Sequence, residues 1–239
     1  MINKFFKIIN NKFSRFFKFI FFLRYLLAVF FVAIVLFLNI PKSFDYKKKE
    51  ENIKNYLLKN YGLQIRELED IKFDSFPVPS LRLSNLSIDF HSDDTNLTTQ
   101  KLIIFPKLFS IYNYENFKVR KVKFENSNLI GDVKYLQSLF KKISNKKKIY
   151  FKNLNIKIKD GQNHVVNLKK VNFFNFGYKK NTIYGEIFNR NFKLKFIDDT
   201  IINFKIPDSG IVITLSILES TQARQIGNIK GNILKSNFK

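Results

Sequence analysis

One apolar spacing recurs four times along the chain: apolar, x, apolar, x, x, apolar, x, apolar. The four copies are Leu81, Leu83, Leu86, Ile88; Phe117, Val119, Val122, Phe124; Ile149, Phe151, Leu154, Ile156; and Val166, Leu168, Val171, Phe173. Three copies are strict, and the third is loose because Tyr150 fills a polar position. Alternation with a period of two indicates β-strands with one buried face. These segments are therefore predicted to be strands.

Each copy contains one extra residue between its two halves. In a regular strand that residue would turn the second apolar pair to the opposite face. A β-bulge absorbs an extra residue and bends the strand, so we predict bent, strongly twisted strands that curve a sheet. The alternative is two short strands joined by a turn, because Ser84-Asn85 and Lys152-Asn153 contain turn-prone residues.

Alternation and turn residues extend the β prediction over most of the chain. The predicted strands are Leu63–Glu69, Ile71–Phe76, Leu81–Phe90, Thr98–Phe105, Asn116–Glu125 with Leu129, Ile149–Lys159, Val165–Phe176, Thr182–Phe188, Phe192–Ile197, Ile201–Ile206, Ile211–Leu218 and Gln225–Leu234. Short turns such as Asp160-Gly161 join successive strands, which favours an antiparallel meander. The predicted fold class is mainly β: a curved antiparallel meander with an open groove over residues 63–239.

Two amphipathic helices are predicted beside these strands. Asp45 can cap a helix over residues 45–61, and Gly62 ends it. Its narrow apolar stripe consists of Ile53, Leu57 and Tyr61. We expect this stripe to pack on the membrane-proximal end of whatever follows and to close an otherwise open β edge. The second helix is predicted from Asp132 to Ser144, with Asp132 as its cap and one apolar side.

The longest apolar run precedes the strands. From Tyr25 to Leu38 only the Tyr25 hydroxyl is polar, and the run extends back past Arg24 and on to Pro41. About 20 residues at about 1.5 Å each suffice to cross a hydrocarbon core of roughly 30 Å. Arg24 would lie at the cytoplasmic boundary with its charge directed outward. We predict a transmembrane anchor over residues 19–40; a buried globular helix is the alternative.

The charges before the apolar run predict its orientation. The first acidic residue is Asp45, so the basic residues of the N-terminal flank are unopposed; they are Lys4, Lys7, Lys12, Arg15, Lys18 and Arg24. Such a flank is retained in the cytoplasm. Small residues typical of a cleavage site do not follow the run, so we predict an uncleaved signal anchor. Residues 1–18 would form a cytoplasmic tail, and the β-rich part would lie in the periplasm.

A net charge of +23 over 239 residues makes nucleic acid or an anionic membrane surface candidate partners. Lys, Asn, Ile and Phe dominate, which is the bias of an AT-rich coding sequence, and the basic residues are spread over solvent-facing strand positions. Examples are Lys118, Arg120, Lys121, Lys123, Lys157 and Lys159. A recognition helix is absent from this pattern, so we expect no nucleic-acid partner.

Residues that carry chemistry are sparse. The chain has no cysteine, and its two histidines, His91 and His164, are far apart in sequence and predicted to be at the surface. Asp93-Asp94 and Asp198-Asp199 lie in predicted turns, where aspartate is favoured for its own hydrogen bonds. Phosphate-binding glycine loops, nucleophile elbows and metal-ligand spacings do not occur. We therefore expect no enzyme activity, no catalytic residue, no metal and no cofactor.

An anchor, a helix that ends at glycine and the segment FPVPSLRLSNLSI at residues 76–88 together resemble the AsmA family of Gram-negative envelope proteins. The family's strand has the form P-x-L-x-L-x-N-apolar-x-apolar, matched by Pro79, Leu81, Leu83, Asn85, Leu86 and Ile88. The resemblance extends over about residues 20–239, and the later strands and the helix at Asp132 to Ser144 fit it. This chain is much shorter than the usual members.

The resemblance implies a role in outer-membrane homeostasis, with an apolar sheet face that conducts phospholipid acyl chains between membranes. The residues agree with this class of mechanism, because a bent, Phe-rich sheet with few helices leaves an apolar face that needs a ligand, a partner or self-closure. Candidate groove residues are Leu81, Leu83, Leu86, Ile88, Phe117, Val119, Val122, Phe124, Leu154, Ile156, Leu168, Val171 and Phe173.

The last predicted strand, Gln225–Leu234, suggests a second function. It is followed by no polar cap or helix, so we expect an open edge that pairs with another chain, or a shortened version of a longer relative. A single-pass envelope interaction protein, such as a division or secretion subunit, would use this edge to bind a partner by β-augmentation.

Overall fold

The computed structural model describes residues 14–89, 95–113, 117–132, 148–174, 182–197, 201–220, 225–233 and 236–238. The chain divides into two compact units, Met1–Phe44 and Asp45–Lys239. The first unit contains helix α1, Ser14–Asn39, and a 3-10 helix, Ile40–Ser43. Pro41 lies in the first turn of the 3-10 helix, where its lack of an N–H is tolerated.

Helix α1 is long and apolar enough to span a membrane. Large apolar side chains are exposed along it; Phe31, for example, is 66% exposed. The predicted apolar helix is confirmed, and it begins before the predicted residue 19. Because water does not tolerate so large an exposed apolar surface, α1 is a candidate membrane span.

The second unit begins with helix α2, Glu50–Tyr61. The prediction that Asp45 caps this helix is wrong: its carboxylate accepts hydrogen bonds from the backbone N–H groups of Lys47, at 3.1 Å, and Lys48, at 3.4 Å. Asp45 therefore caps the turn before α2. The predicted end is confirmed, because Gly62 adopts the left-handed conformation with φ 68° and its N–H bonds back to the helix.

In the part of the chain that the structure describes, twelve strands form one sheet in sequence order, which confirms the mainly β prediction. They are β1 Gln64–Asp74, β2 Ser80–Asp89, β3 Asn96–Pro106, β4 Val119–Asp132, β5 Ile149–Asp160, β6 Asn163–Phe174, β7 Thr182–Ile187, β8 Arg190–Phe196, β9 Ile201–Ile206, β10 Ile211–Ser220, β11 Gln225–Ile233 and β12 Ser236–Phe238. Two further 3-10 helices are Leu108–Ile111 and Pro207–Ser209.

The prediction of a wholly antiparallel meander is wrong at one place. Strands β4 and β5 are parallel, with Val122 opposite Ile149. Residues 133–148 separate the two strands, and a connection of a dozen or more residues is long enough for a parallel crossover. Asp132 is a strand residue, not a helix cap, and its carboxylate accepts a hydrogen bond from the Gly161 N–H at 2.8 Å. The rest of the predicted helix lies outside the described residues.

Three strand predictions need correction. The predicted pair Leu63–Glu69 and Ile71–Phe76 is one strand, β1, and Asn116–Glu125 with Leu129 is one strand, β4. Strand β12 was not predicted. It pairs with β11 over Gly231 to Ile233, so β11 is not wholly an edge strand.

Bent strands are confirmed, because β2, β5 and β6 continue without interruption through their extra residues. Those extra residues have positive φ: Asn85 48°, Asn153 58° and Lys170 49°. Asn126 of β4, with φ 54°, has the same role. Asparagine adopts this left-handed region more readily than most residues. Two short strands joined by a turn, the alternative considered from the sequence, do not occur here.

The bends align across neighbouring strands. Register pairs on either side of each bend leave one residue unpaired on each strand, so that Glu69, Asn85, Gln100, Asn126 and Asn153 fall on one transverse line. We call these five residues the crease. Hydrogen bonds join Asn85 to Glu69, Asn126 to Gln100 at 3.0 Å and Asn153 to Asn126 at 2.8 Å.

The copy at Phe117 to Phe124 absorbs its extra residue differently. Lys121 pairs with Phe105 and Val119 with Pro106, so Arg120 is skipped. This irregularity keeps both Val119 and Val122 buried on one face.

Candidate functional site

An unbroken row of apolar residues crosses the sheet from β1 to β10. Its members are joined by direct cross-strand pairing, one residue per strand. The row consists of Ile71, Leu83, Leu102, Phe124, Phe151, Phe173, Ile183, Leu194, Phe204 and Ile213. We call it the apolar row. Because residues opposite each other share a face, these strands present one continuous apolar face.

Aromatic side chains contact one another along the apolar row. The rings of Phe124 and Phe151 are stacked with centroids 4.6 Å apart, and those of Phe151 and Phe173 are 6.5 Å apart. In the later strands Phe192 stacks on Phe204 at 5.8 Å. These pairs add to the stabilisation from apolar burial.

Burial changes along the row. Phe124 is 0% exposed and Ile183 is 5% exposed, whereas Leu194, Phe204 and Ile213 are only half-buried. Ile71 in β1 is also half-buried, so the apolar face is covered from β2 to β7 and partly open in its later strands.

Helix α2 contributes to the covered part. Its Ile53 and Leu57 are fully buried. The Tyr56 ring packs edge-on against Phe117 with centroids 5.3 Å apart, and its hydroxyl accepts a hydrogen bond from the Val119 N–H at 3.0 Å. Helix α2 therefore contacts β1 and reaches the start of β4.

The thirteen predicted groove residues all lie in or beside the covered part. Leu168 alone is half-buried, and the other twelve are 9% exposed or less. Those twelve are Leu81, Leu83, Leu86, Ile88, Phe117, Val119, Val122, Phe124, Leu154, Ile156, Val171 and Phe173. Their side chains are already packed against protein, and the partly open apolar surface lies beyond them in the sheet.

Of that later surface, Leu168 alone is among the predicted groove residues. We call it the half-buried patch; it consists of Leu168, Ile187, Leu194, Phe196, Ile202, Phe204, Ile211, Ile213 and Leu215. The signal was present, since β8 alternates between apolar and polar residues, and β9 and β10 do so after the adjacent apolar residues at their beginnings. The bulged spacing alone was used to select candidates, and these strands lack it. The side chains of the patch carry no polar atom.

Two copies of the bent spacing were also missed. In β3, Leu97 and Thr99 precede Leu102 and Ile104; in β4, Ser127 replaces the third apolar residue. The buried hydroxyl of Ser127 donates to that of Thr99 at 2.8 Å. The polar residues satisfy each other inside the apolar face, which is why an apolar search did not find these copies.

The opposite face of the sheet is polar and charged. Lys123 and Lys101 both form ion pairs with Glu125. Burial acts to raise the pKa of Glu125, but the hydrogen bond from Lys123 and the surrounding lysine charges outweigh it, so the pKa is lowered. This carboxylate therefore stays ionised and keeps its ion pairs with the two lysines.

Chemistry-bearing groups do not cluster in the described part of the chain, where no group of three or more His, Cys, Asp or Glu could hold a metal ion. His164 is exposed and hydrogen-bonded to Asn167 at 2.7 Å. His91, Asp93-Asp94 and Asp198-Asp199 lie outside the described residues.

The predicted anchor residues belong to the first unit. Arg24 and Tyr25 lie within α1, Leu38 lies near its end, and Pro41 follows in the 3-10 helix. Arg24 is thus inside the helix, which begins at Ser14, and not at its start.

No family model, no curated protein and no solved structure matches this chain. The AsmA resemblance rests on the residues of the chain and stays a prediction.

Proposed function

We propose that this chain is an AsmA-like protein, anchored in the inner membrane of a Gram-negative envelope, that binds or conducts phospholipid acyl chains on the apolar face of its sheet. In this role it would support outer-membrane assembly and lipid homeostasis. The observation that carries the proposal is the apolar row, which continues into the half-buried patch.

The chemistry of the patch suits hydrocarbon. Its side chains offer neither donors nor acceptors, and an acyl chain requires none. Each methylene moved out of water onto such a surface contributes about 0.8 kcal/mol. A ligand with a polar body would instead lose hydrogen bonds to water without compensation.

Helix α1 supports a membrane as the source of that ligand. The basic residues Arg15 and Lys18 at its beginning, with Arg24 further along it, favour a cytoplasmic N-terminus and a single pass, with the second unit in the periplasm. The chain would then reach phospholipid directly. With roughly a dozen strands at about 4.8 Å spacing, the sheet spans about 55 to 60 Å, so a longer homologue or an envelope partner would extend the path.

Neighbouring residues on opposite faces of β8 provide the test. A photo-crosslinking amino acid replaces Leu194, in the patch, or Lys195, on the polar face, in the full chain expressed in its membrane. We expect phospholipid adducts from position 194 and few from position 195, detected by mass spectrometry. Equal adduct yields at the two positions, or none at 194, would overturn the proposal.

A second candidate function rests on β11. Within the described residues, β12 pairs only with Gly231 to Ile233, and Gly227 to Lys230 are exposed. An envelope interaction protein could add a partner strand here. A photo-crosslinker at Ile229, which is 52% exposed, would then yield a defined protein adduct, with no lipid adduct at position 194.

A further inference from the structure

Two connections of the second unit present large exposed apolar side chains. Phe76 and Val78 lie in the loop between β1 and β2 and are 55% and 44% exposed. Phe109 lies in the 3-10 helix after β3 and is 76% exposed. Neither position belongs to the apolar face described above, so acyl-chain binding on that face leaves them unexplained.

Both connections leave the sheet at the same end. Leu81, at the beginning of β2, pairs with Phe73 near the end of β1 and with Ile104 near the end of β3. The loop at residues 75–79 and the segment at residues 107–111 are therefore neighbours at this end. We call these two segments the aromatic end.

The segment at 107–111 is held firmly on the sheet. The Lys107 N–H donates to the Lys118 carbonyl at 2.8 Å. The Ser110 hydroxyl lies 2.8 Å from the Lys107 carbonyl and 2.9 Å from that of Lys118. Phe109 is thus presented to solvent by an anchored turn.

The surroundings of the aromatic end are basic. Residues 75–79, 107–113 and 117–124 contain no acidic residue, and Asp74, which precedes the loop, is paired with Arg82. Lys107, Lys118 and Arg120 are exposed. Burial lowers the pKa of Lys121, and neighbouring cations lower it further; these are Arg120, Lys123 and Lys148. An anionic surface would relieve this repulsion.

We infer that the aromatic end docks on a bilayer surface that contains anionic phospholipid, with Phe76, Val78 and Phe109 in the interfacial layer and Lys107, Lys118 and Arg120 against the phosphates. Apolar side chains flanked by basic residues bind such interfaces. The candidate membrane helix ends at Asn39, shortly before α2 begins at Glu50. In the proposed function this helix tethers the chain to a membrane, so a bilayer is the occupant to which the inference commits. The inference rests on the membrane anchoring in the proposed function but not on acyl-chain binding.

The absence of tryptophan from the chain makes the test direct. Full-length Phe76→Trp and Phe109→Trp each carry a single tryptophan and are reconstituted in phosphatidylglycerol–phosphatidylcholine vesicles. The matched control is Phe188→Trp, because Phe188 is 78% exposed in the turn between β7 and β8, at the other end of the sheet. We expect blue-shifted emission and about twofold or greater quenching by brominated lipid for the first two variants only.

Three outcomes would overturn the inference. The first is the same emission and quenching for Phe109→Trp and Phe188→Trp. The second is a blue shift of the Phe76→Trp and Phe109→Trp emission in native membranes but not in vesicles that contain no other protein. That result would assign the aromatic end to a protein partner. The third is unchanged quenching of Phe109→Trp when Lys107, Lys118 and Arg120 are changed to Gln, with Lys157→Gln and Lys159→Gln as the charge control. Lipid adducts at position 194 are measured separately, so docking and acyl-chain binding fail independently.

Discussion

Single residues in the left-handed region determine where each strand bends. Asn85, Asn126 and Asn153 adopt it with φ between 48° and 58°. Their short side chains also hydrogen-bond along the crease, so the conformation that costs backbone energy gains cross-strand contacts. The turn-prone dipeptides Ser84-Asn85 and Lys152-Asn153 therefore mark the positions of bends, although they form no turn.

Lys170 is the exception, because its long side chain does not favour φ 49°. Relief of backbone strain in Lys170→Gly offsets the entropy cost of glycine, whereas Lys169→Gly incurs only that cost of about 0.5–1 kcal/mol. Because Lys170 also forms an ion pair with Glu186, both variants are made in the Glu186→Ala background. There we expect Lys170→Gly to exceed Lys169→Gly by about 1 kcal/mol in the free energy of unfolding, measured by urea denaturation of the full chain in one detergent. Equal stabilities would mean that the strain at position 170 is negligible.

Tyr61 links stability to alkaline pH. Burial, and to a smaller extent Tyr56, raise its pKa from 10.0 to about 12. The neutral phenol favours the folded state, so its contribution is complete below pH 10 and is lost as the pH rises from 10 to about 12. Urea denaturation across this range should show a smaller alkaline loss for Tyr61→Phe than for the unchanged chain. An identical pH dependence would contradict the assignment.

At the scale of elements, strands were predictable because alternation is a local property. In β3 and β4 the polar residues Thr99 and Ser127 interrupt the apolar spacing, so these two bent strands do not show it. The hydrogen bond between the two hydroxyl groups explains why polar residues occupy apolar positions there. The parallel pairing of β4 with β5 could not be predicted either. It is a pairing between strands that residues 133–148 separate, and alternation within each strand does not specify its direction.

Gly185 in β7 shows how one bent strand constrains the next. A Cβ at this position would lie 2.9 Å from the Lys169 carbonyl oxygen, 3.0 Å from the Val171 Cα and 3.1 Å from the Phe192 ring. Backbone atoms cannot move aside easily, so Gly185→Ala should cost about 1–3 kcal/mol.

The neighbouring variant Glu186→Ala is the control for Gly185→Ala. It removes only an exposed ion pair with Lys170, worth about 0–1 kcal/mol. Thermal unfolding of both variants measures the difference. If Gly185→Ala were as stable as Glu186→Ala, the close approach of the β6 backbone to position 185 would impose no steric cost in solution.

At the scale of the whole molecule, the apolar face has two parts with different expected roles. The covered part stabilises the fold, and the half-buried patch remains available to hydrocarbon. Leu83 and Leu194 are members of the same apolar row, yet Leu83 is 0% exposed and Leu194 is half-buried. They provide a matched comparison of these roles.

Leu83→Ala should cost about 2–5 kcal/mol because it leaves a cavity, and Leu194→Ala less than about 2 kcal/mol because water already reaches that side chain. Co-purified phospholipid should fall with Leu194→Ala and persist with Leu83→Ala while the latter stays folded. Denaturation and lipid mass spectrometry of the full chain measure both quantities. The division into two parts would be refuted if Leu83→Ala lost lipid without losing stability.

The sequence by itself determined the apolar helix, the period of the strands, the bends in β2, β5 and β6, and the stop at Gly62. These features follow from short-range sterics and from the alternation of neighbouring side chains. Only the tertiary structure decided which strands are parallel, where α2 covers the apolar face and how far the half-buried patch extends. Those properties depend on contacts between residues distant in sequence, such as Tyr56 with Val119, which no local pattern encodes.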